Sequence, residues 1–181
     1  MTSSPVSRRH FIAGTLAALP VALSAADNDT PDICIYGGTA SGVMAAVTAV
    51  KQGRSVVLIE PSRWLGGMTG GGLSHVDWGR EKAVGGTALS ILSKNYDDAQ
   101  YRQVFRDLVK KYRIRVIDEH RISAVQKDGA AIRSLTLDHA PPDALGCPVA
   151  AATKANAMTL PAQVFIDCSY EGDLMARAGV S

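Results

Sequence analysis

Residues 32–60 read DICIYGGTASGVMAAVTAVKQGRSVVLIE, and the fold is decided there. Ile33, Cys34, Ile35 and Tyr36 form a short apolar run, suited to a strand buried on both faces. Gly37, Gly38 and Gly42 break it. The apolar, alanine-rich stretch 43–50 predicts a helix lying on a sheet, with Gly53 ending it as a C-terminal glycine commonly does. Val56, Val57, Leu58 and Ile59 make a second buried run, closed by Glu60. Strand, glycine turn, helix, strand and acid follow within about 30 residues, the acid about 20 past the glycines, which is the pattern of a dinucleotide-binding βαβ unit.

Each part has a physical task. The turn at Gly37 brings the amides of residues 38–42 (Gly38, Thr39, Ala40, Ser41 and Gly42) to the start of the helix. Backbone N–H groups and the positive helix end attract a pyrophosphate there. Gly42 lacks a Cβ, so helix and strand can approach closely. Glu60 is positioned to accept hydrogen bonds from ribose hydroxyls. Thr39 departs from G-x-G-x-x-G, where a glycine lets phosphate approach the backbone. Its hydroxyl either donates to phosphate or caps the helix. The competing reading is a plain βαβ unit with a glycine-rich turn.

Upstream, Ser7-Arg8-Arg9-His10-Phe11-Ile12 has the form of a twin-arginine export signal. Residues 11–23 are apolar over a length that suits a signal peptide and is too short to span a bilayer. Ser24-Ala25-Ala26 offers a cleavage site, which divides the chain into a signal, 1–26, and a mature domain, 27–181. The expected location is periplasmic or secreted, with no membrane association after cleavage; an uncleaved anchor is the alternative. The first 26 residues hold two arginines and no acids, so of 19 basic and 17 acidic residues, 17 of each remain. That balance gives no electrostatic case for nucleic acid. Cys34, Cys147 and Cys168 form no C-x-x-C and no metal spacing, so no metal is expected. Cys34 and Cys168 lie in apolar runs and read as core residues.

Downstream, Pro61-Ser62-Arg63-Trp64-Leu65 leads into Gly66-Gly67-Met68-Thr69-Gly70-Gly71-Gly72, five glycines in seven residues. Absent side chains mean either that a second portion of a ligand lies against the backbone or that the loop is floppy. Taken together, DICIYGGTASG and EPSRWLGGMTGGGL resemble the FAD-dependent oxidoreductases of the glutathione-reductase-like fold. They are most similar to the bacterial FAD-dependent oxidoreductase family with Y-G-G-T in its first turn, in which Thr39 is a familiar variant. The resemblance implies FAD as cofactor. It also implies contacts from Pro61, Trp64, Leu65, Gly66, Gly67 and Met68 along the ribityl and pyrophosphate portion. Ser74-His75-Val76-Asp77-Trp78 would approach the flavin ring. His75 is there a proton donor, a covalent attachment point or a surface residue, and Asp77 is unassigned.

Residues 97–112 predict an amphipathic helix, with Tyr101, Val104, Phe105, Leu108, Val109 and Tyr112 on one stripe. Residues 114–117 read as a third parallel strand. Residues 120–125 and 131–137 read as a hairpin turning at Lys127-Asp128-Gly129. Residues 138–153 read as a loop with His139 solvated, and 158–160 as the last meander strand. The resemblance suggests that backbone at Arg121 and Ile122 meets the adenine. Val164-Phe165-Ile166-Asp167 is another buried run, and F-I-D-x-x-Y-E-G-D-L is a second motif similar to the same family. It implies Asp167, Gly172 and Asp173 near the cofactor phosphates.

The expected fold is therefore α/β: a Rossmann-like parallel sheet that binds FAD, carrying a small antiparallel meander. The expected function is FAD binding in an oxidoreductase of unknown organic substrate and electron acceptor. No catalytic residue is assigned and the oligomeric state is open. An NAD-binding protein and a non-catalytic nucleotide-binding fragment are the rivals. The resemblance corresponds to the N-terminal part of a family member, so residues 27–181 alone are expected to bind FAD weakly or not at all.

Overall fold

The computed structural model describes residues 30–71, 79–146, 149 and 153–180. The export motif, the cleavage site, His75, Asp77 and Cys147 lie outside the described residues.

The two apolar runs form β1 (Ile33–Tyr36) and β2 (Val56–Ile59), joined through helix α1 (Ala40–Lys51). Short helices α2 (Gly67–Gly70) and α3 (Gly86–Leu92) precede α4 (Asp98–Lys111), which leads into β3 (Arg115–Ile117). Strands β4 (His120–Asp128), β5 (Ala131–His139) and β6 (Thr153–Pro161) form an antiparallel sheet of their own. The chain then returns as β7 (Val164–Asp167) and ends its described part with α5 (Asp173–Arg177). The parallel sheet has the order β3-β2-β1-β7. Tyr36 pairs with Ile59 on one side and Asp167 on the other, so the C-terminal ends of three strands meet beside the first turn.

The sheet has two differently covered faces, and alternation along the strands assigns residues to each. Ile35, Val56 and Leu58 pack with Val43 and Val47 of α1 and Tyr101, Phe105 and Val109 of α4. Cys34, Tyr36, Val57 and Ile59 pack with Ile122, Leu135, Leu137 and Leu160 of the meander and Leu174 of α5. Each such side chain contributes roughly 1.5–3 kcal/mol on full burial. Burial pushes the Cys34 thiol up to about 12, which makes it an inert core residue. Helix α4 starts at a capping box, with the Asp97 carboxylate accepting from Gln100 N and the Gln100 side chain accepting from Asp97 N. At the other end of β1 and β2 from the turn, the Asp32 carboxylate accepts from Ser55 N at 2.8 Å and Ser55 Oγ at 2.9 Å, which holds its pKa below the ordinary value.

The stretch after the hairpin differs from expectation. Strand β5 runs on through Asp138 and His139, paired with Arg121 and His120. His139 is consequently half-buried and not a solvated loop residue. Its ring lies 5.1 Å from that of His120, and its Nε2 is 3.7 Å from the Glu119 carboxylate.

Candidate functional site

The first turn is held by its own backbone. Gly37 N donates to Ile59 O at 2.9 Å. Gly37 has φ +100°, and a Cβ there would lie 2.6 Å from Ser169 N. At Gly42 a Cβ would fall 1.9 Å from Gly37 O. The requirement at Gly42 is thus set by the turn itself, against which the start of α1 is pressed.

Thr39 is the N-cap of α1. Its Oγ1 accepts from Gly42 N at 3.2 Å and donates to Cys168 O at 2.9 Å. A hydroxyl has one proton. With that proton given to Cys168, Ser41 Oγ, 2.9 Å away, is the donor to Thr39. Of the two roles the sequence allowed Thr39, the structure shows the cap. Ala40 opens α1 but lines an apolar cavity with Met44, Ile91 and Phe105 on the helix side.

Glu60 links the turn to the groove. It is 8% exposed. Its Oε2 accepts from Gly38 N at 2.7 Å and its Oε1 from Ser62 N at 2.8 Å. Two amide donors satisfy a buried charge that would otherwise be costly. The remaining lone pairs are left for a ligand.

The glycine-rich segment is ordered where described. Gly66 N donates to Gly38 O at 2.8 Å, and Gly66 bridges to Thr39, so the two glycine turns are stitched together. Arg102 supports the segment from α4, donating to Gly70 O at 2.9 Å while its guanidinium lies 5.1 Å from the Trp64 ring centre. The floppy-loop reading therefore fails for residues 66–71. Met68 N donates to Tyr170 Oη at 2.7 Å, and a Cβ on Gly67 would meet that hydroxyl at 2.2 Å. Leu65 does not face the groove; it is buried in the core between α1 and α4. Gly66 backs onto the Phe105 ring.

These elements enclose a groove of about 260 Å³ lined by Gly37, Thr39, Glu60, Pro61, Trp64, Gly67, Tyr170 and Asp173, among others. Asp167 is not part of its lining. The Asp167 carboxylate is turned into its own loop, accepting from Ser169 N, Ser169 Oγ and Met175 N at 2.7–2.9 Å. It orders the turn that places Gly172, the N-cap of α5, and Asp173. The Asp173 carboxylate pairs with Arg177 at 3.3 Å.

A second cavity of about 540 Å³ shares Pro61 and Asp173 with the first and adds Tyr36, Arg121, Ile122, Ser123, Asp138 and Arg177. Arg121 and Ile122 line this second cavity. The Ile122 amide, however, donates to Tyr36 Oη at 3.2 Å. Burial raises the Tyr36 hydroxyl to about 12, so it stays protonated and accepts through oxygen. Sequence reasoning missed Tyr36, Ser123, Asp138, Ser169, Tyr170 and Arg177. The available signals were polar residues inside otherwise apolar meander strands and the tyrosine within the second motif.

A parallel sheet with a glycine turn at the end of β1, a buried acid at the end of β2 and an inserted meander defines a Rossmann-type nucleotide-binding domain. Residues 32–181 match the model of the FAD dependent oxidoreductase family, and the chain belongs to that family. It is the FAD-binding portion of a flavin-dependent oxidoreductase, and FAD is its cofactor. The cradle fits: glycines stand wherever a Cβ would close the turn, and a buried acid with spare lone pairs lines the groove.

A vinyl phenol reductase from Lactiplantibacillus plantarum is 34% identical over 84 residues, a match spanning 44% of this chain and 17% of that protein. The fold is similar to that of the flavin-dependent brominase Bmp2, with TM-score 0.56 and 12% identity over 83% of this chain and 41% of the other. It is likewise similar to Thermovibrio ammonificans THI4 (TM-score 0.56, 16% identity, 84% of this chain and 64% of the other). For T. acidophilum thioredoxin reductase the TM-score is 0.51 at 20% identity, over 76% of this chain and 34% of the other. These structures share the fold with the chain, which spans well under two thirds of most of them.

Proposed function

We propose that the groove holds FAD with its pyrophosphate at the start of α1, its adenosine ribose on Glu60 and its flavin end beyond Trp64 and Gly67. The observation that carries this reading is Glu60: a buried carboxylate, fixed by Gly38 N and Ser62 N, in the lining of the groove. Bound there, FAD supplies two-electron redox chemistry that no side chain offers. The chain's own residues bind and orient it. The start of α1 offers amides and the positive helix end to phosphate oxygens, and the ring of Trp64 walls the groove. The full protein then acts as an oxidoreductase on an organic substrate. The reductase among its relatives supports that class, and the substrate is left unnamed.

The test is to denature the purified protein and identify the released nucleotide. FAD is expected; NAD or FMN would overturn the reading. We propose also that residues 1–26 direct twin-arginine export and that 27–181 form the mature domain, a reading supported by Arg8 and Arg9 ahead of an apolar stretch. Replacing both with lysine should leave precursor inside the cell, and normal export of that variant would count against the signal.

A further inference from the structure

The end of the parallel sheet away from the groove collects cations. Helix α1 finishes there with Lys51, and α4 with Lys110 and Lys111. Arg54 precedes β2, Arg113 precedes β3, and Arg115 opens β3 opposite Val57. All six residues are exposed, and none makes an ion pair among the described residues. Two acids lie nearby. The Asp32 carboxylate, close to Arg54, is taken by Ser55, and that of Asp107 by Gln103. Residues 27–181 carry 17 basic and 17 acidic side chains, so six cations against two acids is a strong local imbalance.

Helix ends explain part of it. A helix C-terminus is negative and favours cations within its last turn, which accounts for Lys51, Lys110 and Lys111. It does not account for Arg54, Arg113 and Arg115, which lie past the helices. Arg113 stands at φ +51°, in the left-handed region where a glycine would sit without strain. Its charge meets no carboxylate in return. Lys51 and Lys111 are also drawn together, their Nζ atoms 5.4 and 5.6 Å from the centre of the one Tyr112 ring. Like charges gathered without a counter-ion make a surface suited to an external anion.

Charge alone fits an acidic protein as well as an acidic membrane, and position along the chain chooses between them. Strand β1 starts at Ile33 from this same end, so the chain before residue 30 joins the domain beside the cations. The apolar stretch 11–23 ends seven residues before residue 30, a reach of at most about 25 Å. Whatever takes up that stretch lies close to the basic end. The groove, at the opposite ends of the strands, is left open.

We propose that this basic end of the sheet is a docking face for an anionic lipid surface, against which the domain rests with its groove turned away. The choice of a membrane rests on the export reading of residues 1–26 given above, and concerns the chain that still carries them. Each Lys or Arg close to such a surface is worth roughly fivefold in affinity, and the effect is lost beyond about 10 Å at about 0.1 M salt.

The experiment is co-sedimentation of the full chain with vesicles of phosphatidylcholine alone and of phosphatidylcholine mixed equally with phosphatidylglycerol. The native chain should bind the anionic vesicles at least about a hundredfold tighter, and the preference should vanish at about 0.5 M salt. A variant carrying Lys51→Gln, Lys110→Gln and Arg113→Gln should lose at least about tenfold of it. Arg8→Gln with Arg9→Gln should keep most of it, and its loss there would place the lipid contact in the leader and overturn the proposal. Equal binding of the two vesicles by the native chain, or binding of neither, would overturn it too. So would a full preference in the triple variant, shown to be folded by an unchanged melting temperature. Binding of poly-glutamate without binding of anionic vesicles would give the face to an acidic protein and overturn the lipid assignment. Export itself is read by the lysine replacement above, so the two readings can fail independently. The vesicle comparison on the native chain stands even if the triple variant does not fold.

Discussion

The two cavities are built from different materials. Around Gly37 and Gly42 the surface is backbone, and side chains appear chiefly as absences. In the second cavity, around Asp138, it is side chains, projected from the paired strands of the meander. A backbone surface has little freedom to vary, because its N–H groups point where the turn points them. A side-chain surface can be changed one residue at a time without disturbing the sheet beneath. The first turn should therefore be brittle and the second cavity adjustable.

The sharpest test of brittleness is Gly42→Ala. The added Cβ would lie 1.9 Å from a backbone carbonyl oxygen, that of Gly37, so no side-chain rotation relieves it. Overpacking typically costs about 1–3 kcal/mol and sometimes more. We expect FAD occupancy to vanish and the melting temperature to fall by roughly 2–4 °C per kcal/mol lost. Normal occupancy in Gly42→Ala would show that the turn is not the phosphate cradle.

Glu60→Ala comes next, because Glu60 both lines the groove and braces its turn. Sequence reasoning treats it as a ribose ligand alone. The structure adds that it holds Gly38 N and Ser62 N, so removing it strands two amides at about 1–3 kcal/mol for a buried one. FAD affinity should fall at least about tenfold, together with a measurable loss in thermal stability. A stability loss with unchanged FAD affinity would leave Glu60 as a turn brace and put the ribose elsewhere.

What could be read from the sequence follows the same division. The βαβ unit is local: its strands, turn, helix and acid lie within residues 32–60, and period, glycine spacing and the terminal acid each report on it. The second cavity depends on the pairing of Arg121 with Asp138 and on a register shift near Ser123, which no pattern in either strand announces. Asp167 shows the same dependence: the following turn takes all three of its hydrogen bonds, a structural role that an acid at the end of a strand does not announce. The Leu65 side chain turns into the core, a direction that a resemblance over a contiguous segment does not report. The second motif offered Tyr170, but not its role, because its partner, the Met68 amide, lies 102 residues away in sequence.

Tyr170→Phe should have the smallest effect, and it sharpens the contrast most finely. Tyr170 is 54% exposed, yet its hydroxyl accepts from Met68 N across the mouth of the groove, in the space that glycine at 67 leaves open. It is a side-chain strut attached to a backbone surface. Phenylalanine keeps the ring and drops the single bond. A typical hydrogen bond contributes about 0.5–1.5 kcal/mol net. The Met68 amide is near solvent, so water replaces much of that, and the loss should fall at or below the lower end. Global stability should hardly move. The local signature should be faster amide hydrogen exchange at Met68, because α2 loses its tie to the loop before α5. FAD affinity should change by no more than about threefold if the hydroxyl only braces the segment. A loss of tenfold or more, with exchange elsewhere unaltered, would mean that the hydroxyl contacts the cofactor itself. The phosphate end would then also be partly side-chain built, and the division between the two cavities would need redrawing at Tyr170.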